Sequence, residues 1–311
     1  MALQFHTLDV FTARGFAGNP LAVVLEADGL DDHQMQLIAR EFNLSETVFL
    51  TKAEHPSHTA RARVFTPATE LPFAGHPVVG TAVYLASARP GLADGNCDAL
   101  VVLELPIGIV RVGVKLRPDA PAYAEFEAPK LPELGRLDLD TDDIAAAVGL
   151  LPSEIGLANH APRLSRVGAS FALVPVTSRE ALDRAAPNGA YWSQTFSDAG
   201  VVGAFFYTRD CIHQSSSFHA RMFAPDSGIP EDPATGSAAI GFAAAIREFD
   251  GLPDGVHRRV IEQGFAMRRP SLMTLTLDVK GGALAAVRLG GNAVRMASGS
   301  LKIADLSRQA R

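Results

Sequence analysis

Three side chains in this chain of 311 residues are the candidates for proton transfer, because each is a carboxylic acid or a histidine beside small or apolar residues. The first is Glu46, in the segment Asn43-Leu-Ser-Glu-Thr-Val-Phe-Leu50, between a predicted helix and a predicted strand. Burial raises the pKa of a carboxyl group toward the range that suits general acid–base catalysis. A solvent-exposed glutamate at a helix end or strand edge is the structural alternative, and the sequence leaves both open.

The other two candidates, His76 and Asp232, each precede a proline at the start of a predicted helix. A histidine at such a place donates a hydrogen bond either to a bound carboxylate or to a neighbouring carbonyl group. Asp232 is either a catalytic carboxylate or the N-cap of its helix, with Pro233 in the first helical turn. For each residue taken alone, the structural role is favoured.

His76 and Asp232 belong to two stretches that match each other. Arg63-Val-Phe-Thr-Pro67 leads to Phe73-Ala-Gly-His-Pro77, and Arg221-Met-Phe-Ala-Pro225 leads to Glu231-Asp-Pro-Ala-Thr-Gly-Ser237. Each predicts a short strand, a loop bounded by proline, and a helix that begins at small residues. Helix N-termini present unpaired N–H groups and the positive end of the helix dipole. We therefore expect the N–H groups at Gly75–His76 and Gly236–Ser237 to bind a small anionic substrate.

The segments that follow, residues 78–86 and 238–246, are apolar on every face. Such helices must be buried, and these are too short to span a bilayer, which needs about 20 residues. The sequence therefore predicts an α+β fold of two pseudosymmetric domains, each a β-barrel-like sheet wrapped around a central buried helix.

The length of the chain also predicts two domains, since about 150 residues is typical of one. Residues 1–120 form the predicted first domain, with the C-terminal strand near 292–311 as a candidate addition to it, and residues 135–290 form the second. The stretch 121–134 is the predicted crossing segment, within a region rich in Pro, Glu and Ala.

Short runs of β-forming residues dominate both halves. Predicted helices cover 31–41, 142–149 and 179–186, besides the two apolar ones. Predicted strands cover 5–11, 22–25, 47–50, 60–65, 99–105, 109–116, 166–176, 201–207, 218–223, 260–265 and 272–279. The stretch 283–303 is predicted to form strands broken at Gly290-Gly291 and near Gly299.

Composition excludes several classes of function. The formal net charge of −6 gives no general attraction to nucleic acid or to an anionic membrane. No secretory leader or long apolar run occurs, so a cytoplasmic location is the default expectation. Cys97 and Cys211 lie far apart and predict free thiols, and His55 and His58 lack further ligands at metal spacing, so no metal site is expected. Walker, dinucleotide-binding and Gly-x-Ser-x-Gly motifs are absent.

Five segments together resemble one known family. They are Phe16-Ala-Gly-Asn-Pro-Leu-Ala-Val-Val24, Asn43-Leu-Ser-Glu-Thr-Val-Phe49, Phe73-Ala-Gly-His-Pro77, Glu231-Asp-Pro-Ala-Thr-Gly-Ser-Ala238, and Gln263-Gly264 with Arg269-Pro-Ser271. In this order, over nearly the whole chain, they are similar to the phenazine biosynthesis isomerase (PhzF-like) family.

The resemblance implies a fold like that of diaminopimelate epimerase, with the site in the cleft between two domains, no cofactor, and commonly a homodimer. In one branch of the family the enzyme isomerises trans-2,3-dihydro-3-hydroxyanthranilate by moving a proton from one ring carbon to another. Glu46 matches the proton-shuttling glutamate of that branch, and His76, Asp232 and Ser237 match its other site residues. Asn19, in the first motif, is a further candidate for substrate binding.

Two other functions remain open. The same fold includes amino acid racemases and epimerases that use paired thiols, but neither helix N-terminus carries a cysteine here. An epimerase that uses the carboxylates Glu46 and Asp232 is the version that the residues allow. A catalytically silent binding protein with the same cleft is the other alternative, because function resides in the site rather than in the fold.

Overall fold

The computed structural model describes residues 2–89 and 95–303. Its strands are β1 Ala2–Val10, β2 Asn19–Val24, β3 Glu46–Thr51, β4 Ala60–Phe65, β5 Glu70–Leu71, β6 Cys97–Leu105, β7 Gly108–Arg117, β8 Ala120–Glu127, β9 Glu133–Arg136, β10 Arg163–Val167, β11 Ala169–Pro175, β12 Gly203–Thr208, β13 Phe218–Ala224, β14 Ile229–Asp232, β15 Gly255–Gln263, β16 Ser271–Lys280 and β17 Ala283–Lys302. Its α-helices are α1 Asp32–Phe42, α2 Gly75–Ser87, α3 Thr141–Val148, α4 Arg179–Arg184, α5 Gly189–Trp192 and α6 Gly236–Phe249. The fold is therefore mixed α+β.

The chain divides into two compact units, the first of Met1–Pro129 with Gly290–Arg311 and the second of Lys130–Leu289. In the first unit eight strands pair in a closed ring, in the order β1, β2, β3, β4, β6, β7, β8, β17 and back to β1. Strand β5 is added at β4. A closed ring leaves no strand edge exposed to other chains.

Helix α2 is the buried helix of the first unit. Eleven of its residues are buried, and it contacts β1, β2, β3, β6, β7 and β8. Each buried valine, such as Val78 and Val79, stabilises the fold by about 1.5–3 kcal/mol. At Gly80 an added Cβ would lie 2.6 Å from the Leu21 side chain, so the helix needs glycine there to approach β2.

In the second unit the strands β9, β10, β11, β12, β13, β15 and β16 pair successively, with β14 added at β13. Helix α6 contacts β9, β10, β11 and β16, and ten of its residues are buried. Helices α3 and α4 contribute to a second cluster of apolar side chains, which includes Trp192, Phe196 and Phe206.

The matched segments of the sequence fold in matching ways, each within its own unit. Arg63 donates hydrogen bonds from Nε and Nη2 to the two carboxylate oxygens of Glu70, and Arg221 does the same to Glu231. Five residues after each glutamate the buried helix begins, at Gly75 and Gly236. The similarity of the two matched segments therefore extends from sequence to side-chain contacts.

A second pair of glutamates repeats as well. Arg61 on β4 is opposite Glu104 on β6, and His219 on β13 is opposite Glu262 on β15. Each carboxylate accepts hydrogen bonds from two successive backbone N–H groups of the preceding loop: those of Glu54 and His55 for Glu104, and those of Ile212 and His213 for Glu262. Residues equivalent in the two units can thus be assigned by register.

The C-terminal strand differs from the sequence prediction, because β17 runs without a break through both predicted interruptions. At Gly290 an added Cβ would lie 2.3 Å from the Tyr123 hydroxyl, and at Gly299 it would lie 2.6 Å from the Phe5 ring. These glycines allow close packing rather than ending strands. Residues 304–311 of the predicted strand near 292–311 lie outside the described residues.

One other segment also differs. The predicted single strand 166–176 is a hairpin, β10 and β11, that turns at Gly168, where φ is +85°. The predicted crossing segment 121–134 contains most of β8 and the start of β9, and the units meet in sequence at Pro129 and Lys130. Among residues 2–89 and 95–303, no helix combines the length and apolar composition needed to cross a bilayer.

Candidate active site

In the first unit, Glu46 and His76 lie side by side. Glu46 is the first residue of β3 and is opposite Leu21 of β2, while His76 is in the first turn of α2. Their side chains approach within 3.3 Å, from Glu46 Oε2 to His76 Nδ1. Both residues are buried, with 9% and 2% of their surfaces exposed. The apolar flanks of Glu46 therefore do shield it, and the solvent-exposed alternative is wrong.

His76 is neutral at pH 7 in this position. Burial lowers the pKa of its imidazole from 6.5 to about 3, and a hydrogen bond with the Pro20 carbonyl group opposes this only in part. Its Nε2 atom is buried and has no hydrogen-bond partner within the described part of the chain. Because Nδ1 is next to a carboxylate oxygen, we assign the proton to Nδ1 and the lone pair to Nε2. Nε2 can thus accept a hydrogen bond from a substrate donor.

Asn19 is held by a tightly shaped loop. It is the first residue of β2 and is completely buried. Gly18 before it has φ +66°, and an added Cβ would lie 2.2 Å from the Val10 carbonyl oxygen, so only glycine fits. The Phe16 N–H donates to Asp9 Oδ2 at 2.6 Å. Asp9 is a site-supporting residue that the sequence reasoning missed; its sequence signal is a carboxylate between Leu8 and Val10 at the end of β1.

The N-terminus of α2 lies at Gly75, which is buried. Its N-cap, Ala74, makes no side-chain hydrogen bond to the helix. The N-cap side chain therefore accepts no hydrogen bond from the first backbone N–H groups of α2. They are candidates for binding an anion, as the sequence predicted for Gly75 and His76.

In the second unit, Asp232 ends β14 and is 7% exposed. The prediction that it is the N-cap of the helix is wrong, because α6 begins only at Gly236 and its N-cap is Thr235. Pro233 accordingly lies before the helix rather than in its first turn. Asp232 instead accepts a hydrogen bond through Oδ2 from Thr235 Oγ1, at 2.6 Å. Ser237, the second residue of α6, is partly exposed.

A glutamine joins these groups into a network. Gln263, at the end of β15, is completely buried. Its Nε2 donates to the Asp232 carbonyl oxygen at 2.7 Å and to Thr235 Oγ1 at 3.2 Å, and its Oε1 accepts from the Thr235 N–H at 3.2 Å. Sequence reasoning placed Gln263 in a family motif but gave neither it nor Thr235 a role.

The two arginines of the matched segments each form ion pairs within their own unit. Beyond its glutamate, Arg221 donates through Nη1 to three carbonyl groups at the end of α4 and is 7% exposed. Arg63 also contacts Asp32, at 2.7 Å. Their hydrogen bonds shape the loops that carry Glu70 and Glu231.

The remaining candidate groups lie elsewhere. Cys97 begins β6 and Cys211 is in the loop before β13, and both are free thiols. Burial raises the pKa of Cys211 to about 11, which keeps it protonated at neutral pH. His58 Nδ1 is 2.7 Å from Glu104 Oε1, and His55 bonds to Ser57. In the described ranges, no group of three or more His, Cys, Asp or Glu side chains is arranged to hold a metal ion.

Comparisons with known proteins match nearly the whole chain. The family model described as phenazine biosynthesis-like protein matches residues 8–299. An uncharacterized isomerase of Mesorhizobium japonicum is 47% identical over 298 residues, which are 95% of this chain and 97% of that protein. The trans-2,3-dihydro-3-hydroxyanthranilate isomerase of Pseudomonas aeruginosa is 31% identical over 297 residues, 95% of this chain and 98% of that protein.

A solved structure supports the fold. It is that of a phenazine biosynthesis protein of the PhzF family from Bacillus anthracis, with a TM-score of 0.86 and 23% identity. The match covers 97% of this chain and all of that one.

Proposed function

Because the chain belongs to the phenazine biosynthesis-like protein family and is an isomerase, we propose that it moves a proton between carbon atoms of a small carboxylate-bearing substrate, without a cofactor. A compound like trans-2,3-dihydro-3-hydroxyanthranilate is the substrate class, since a relative at 31% identity is named for that reaction. The observation that carries the proposal is the buried pair of Glu46 and neutral His76.

Glu46 is the proton shuttle in this proposal. Its carboxylate takes a proton from a substrate carbon and, as the resulting acid, returns it to another carbon. Only 9% of the Glu46 surface is exposed, and such shielding from water favours return of the same proton over exchange with solvent. His76 accepts a hydrogen bond from the substrate through Nε2 and so orients it.

Removal of a proton next to a conjugated carboxylate builds negative charge on the substrate. In the proposal this charge is stabilised by N–H groups at Gly75, Gly236 and Ser237, since helix N-termini favour anions. Asp232 accepts a hydrogen bond from a donor group of the substrate, and Asn19 contributes a further polar contact. These roles assign different chemistry to the two matched segments.

We extend the proposal to the architecture and assembly that the family implies. Helices α2 and α6 are the central helices of two barrel-like sheets related by duplication, and the protein acts as a homodimer in the cytoplasm. Neither nucleic acid nor membrane is a partner.

The proposal is tested by incubating trans-2,3-dihydro-3-hydroxyanthranilate with the protein in deuterated water and following product and deuterium at carbon by NMR. Glu46→Gln keeps the size of the side chain but removes the base, so turnover should fall by about 10²–10⁴-fold. Glu41→Gln, a change of the same kind at an exposed position, is the control and should retain full turnover. Turnover at the wild-type rate in Glu46→Gln would refute the role of Glu46 as the proton shuttle.

A second candidate function has one observation in its favour, namely that each unit carries one buried carboxylate at its candidate site, Glu46 and Asp232. Two such groups suit an epimerase that removes a proton from one face of a carbon and delivers another to the opposite face. Inversion of a stereocentre with solvent label incorporated would identify that reaction. Tight binding of substrates without exchange or turnover would indicate a binding protein instead.

A further inference from the structure

The two matched segments can be aligned residue by residue from strand register. Val64 on β4 is opposite Leu71 of β5, and Met222 on β13 is opposite Asp232 of β14. Val64 and Met222 each follow the arginine of their segment. Leu71 and Asp232 are therefore equivalent positions, each directly after the glutamate that binds that arginine.

The same reasoning extends to two more positions. The N-caps of the buried helices are Ala74 in the first unit and Thr235 in the second. Leu105 and Gln263 directly follow the equivalent glutamates Glu104 and Glu262, which fixes them as a third equivalent pair. The first unit thus has Leu71, Ala74 and Leu105 where the second has the three hydrogen-bonded residues Asp232, Thr235 and Gln263.

This difference distinguishes residues required for packing of the fold from residues required by the candidate site. Three apolar residues serve the strand, loop and helix of the first unit, so packing alone does not demand polar groups at these positions. A buried polar group destabilises the fold unless it has a hydrogen-bond partner, and here Asp232, Thr235 and Gln263 are hydrogen-bond partners of one another. The network therefore serves the orientation of Asp232.

The donors and acceptors of the network have only one consistent arrangement. The Gln263 amide must point Oε1 at the Thr235 N–H and Nε2 at the Asp232 carbonyl group. Since Nε2 only donates, Thr235 Oγ1 accepts from it and gives its single proton to Asp232 Oδ2. Asp232 Oδ2 is thereby held as an acceptor in one orientation.

We propose that Gln263 and Thr235 are positioning residues, which hold the Asp232 carboxylate and the N-terminus of α6 in the geometry that the substrate requires. This inference rests on the proposed function. It assigns the two residues an effect on turnover through Asp232 rather than by contact with the reacting atoms.

The chain supplies its own variants for the test. Gln263→Leu and Thr235→Ala each introduce the residue that the first unit carries at the equivalent position. With trans-2,3-dihydro-3-hydroxyanthranilate as substrate, we expect kcat of each variant to fall by about 10–100-fold and KM to change by less than about threefold. In Thr235→Ala the acidic limb of the pH profile of kcat should also move to higher pH, since one hydrogen-bond donor to the carboxylate is lost. Thr235→Ser keeps the hydroxyl group and should restore kcat. Leu105→Met, in the first unit, is the control for a change at the equivalent position.

Hydrogen exchange at the Thr235 amide gives a readout that needs no turnover. The rate should rise at least about tenfold in Gln263→Leu and stay at the wild-type value in Glu46→Gln, because only the first variant removes the acceptor. Wild-type kcat in both Gln263→Leu and Thr235→Ala would overturn the inference, and so would an unchanged exchange rate in Gln263→Leu. If Gln263→Leu does not fold, Thr235→Ala against Thr235→Ser decides. Absence of turnover in the wild type counts against the proposed function, and the exchange rate then decides the network by itself.

Discussion

The buried imidazole of His76 makes the stability of the protein depend on pH in a defined direction. Burial lowers its pKa in the folded state to about 3, below the value of 6.5 for an unperturbed histidine. Between these values the unfolded chain binds more protons than the folded one, so the free energy of unfolding rises with pH. The full contribution is present above pH 6.5 and is lost as the pH falls.

The magnitude follows from the slope of about 1.4 kcal/mol per pH unit for one proton. At pH 5, one and a half units below 6.5, titration of this imidazole should lower the free energy of unfolding of the wild type by about 2 kcal/mol. A variant without the imidazole should not show this decrease. His76→Asn removes the titrating group and keeps a small polar side chain. Urea unfolding of both proteins at pH 7, 6 and 5 measures the difference, because other titrating groups are common to both.

His55→Asn, a change of the same kind at an exposed position, is the matched control for the substitution itself. An NMR titration gives a direct check, since the imidazole signals of His76 should not shift between pH 7 and 5. A difference in unfolding free energy between wild type and His76→Asn that is the same at all three pH values would refute the reasoning.

Three further predictions follow from local geometry. Gly264→Ala should cost at least about 2 kcal/mol of unfolding free energy, because φ is +78° and the new Cβ would lie 2.5 Å from the Arg269 carbonyl oxygen. The control Gly281→Ala, where φ is +58° and the space is open, should cost about 1 kcal/mol. Equal losses of the two variants in urea unfolding would contradict this prediction. The double variant Cys97→Ser, Cys211→Ser should keep full turnover, and loss of turnover would instead indicate a thiol mechanism. In the wild type, Cys211 should react with iodoacetamide at pH 8 about 100-fold more slowly than a thiol of ordinary pKa. Asp31→Ala should cost about 1 kcal/mol, because Asp31 and Gln34 form a capping box at α1; an unchanged thermal midpoint would show that the cap contributes nothing.

Local patterns predicted the elements of this fold more accurately than their ends and interruptions. The amphipathic stretch 31–41 forms α1 within one residue, because its cap and its apolar stripe are both local signals. Gly290 and Gly299 were misjudged because a glycine that permits close packing looks the same in sequence as one that ends a strand. Only the tertiary contacts with Tyr123 and Phe5 distinguish the two.

The candidate site shows the same limit. Glu46 and His76 were named from local context, and the structure brings them together although they are 30 residues apart. The network around Asp232 was missed because Gln263 reaches it through the pairing of β13 with β15, a contact between strands distant in sequence. Carrying the spacing between Arg63 and Arg221 forward along the chain would have indicated it, since that spacing pairs Leu105 with Gln263 and the two differ in polarity.

The closed ring of strands has a consequence for how the chain is made. Strand β17 joins β1 to β8, so the ring of the first unit is completed by residues that follow the second unit in the sequence. During synthesis β1 and β8 must wait, with unpaired edges, while the ribosome produces the whole of the second unit. The first unit therefore cannot complete its ring until the second unit has been synthesised, and a nascent chain that stalls before residue 290 carries a barrel that cannot close.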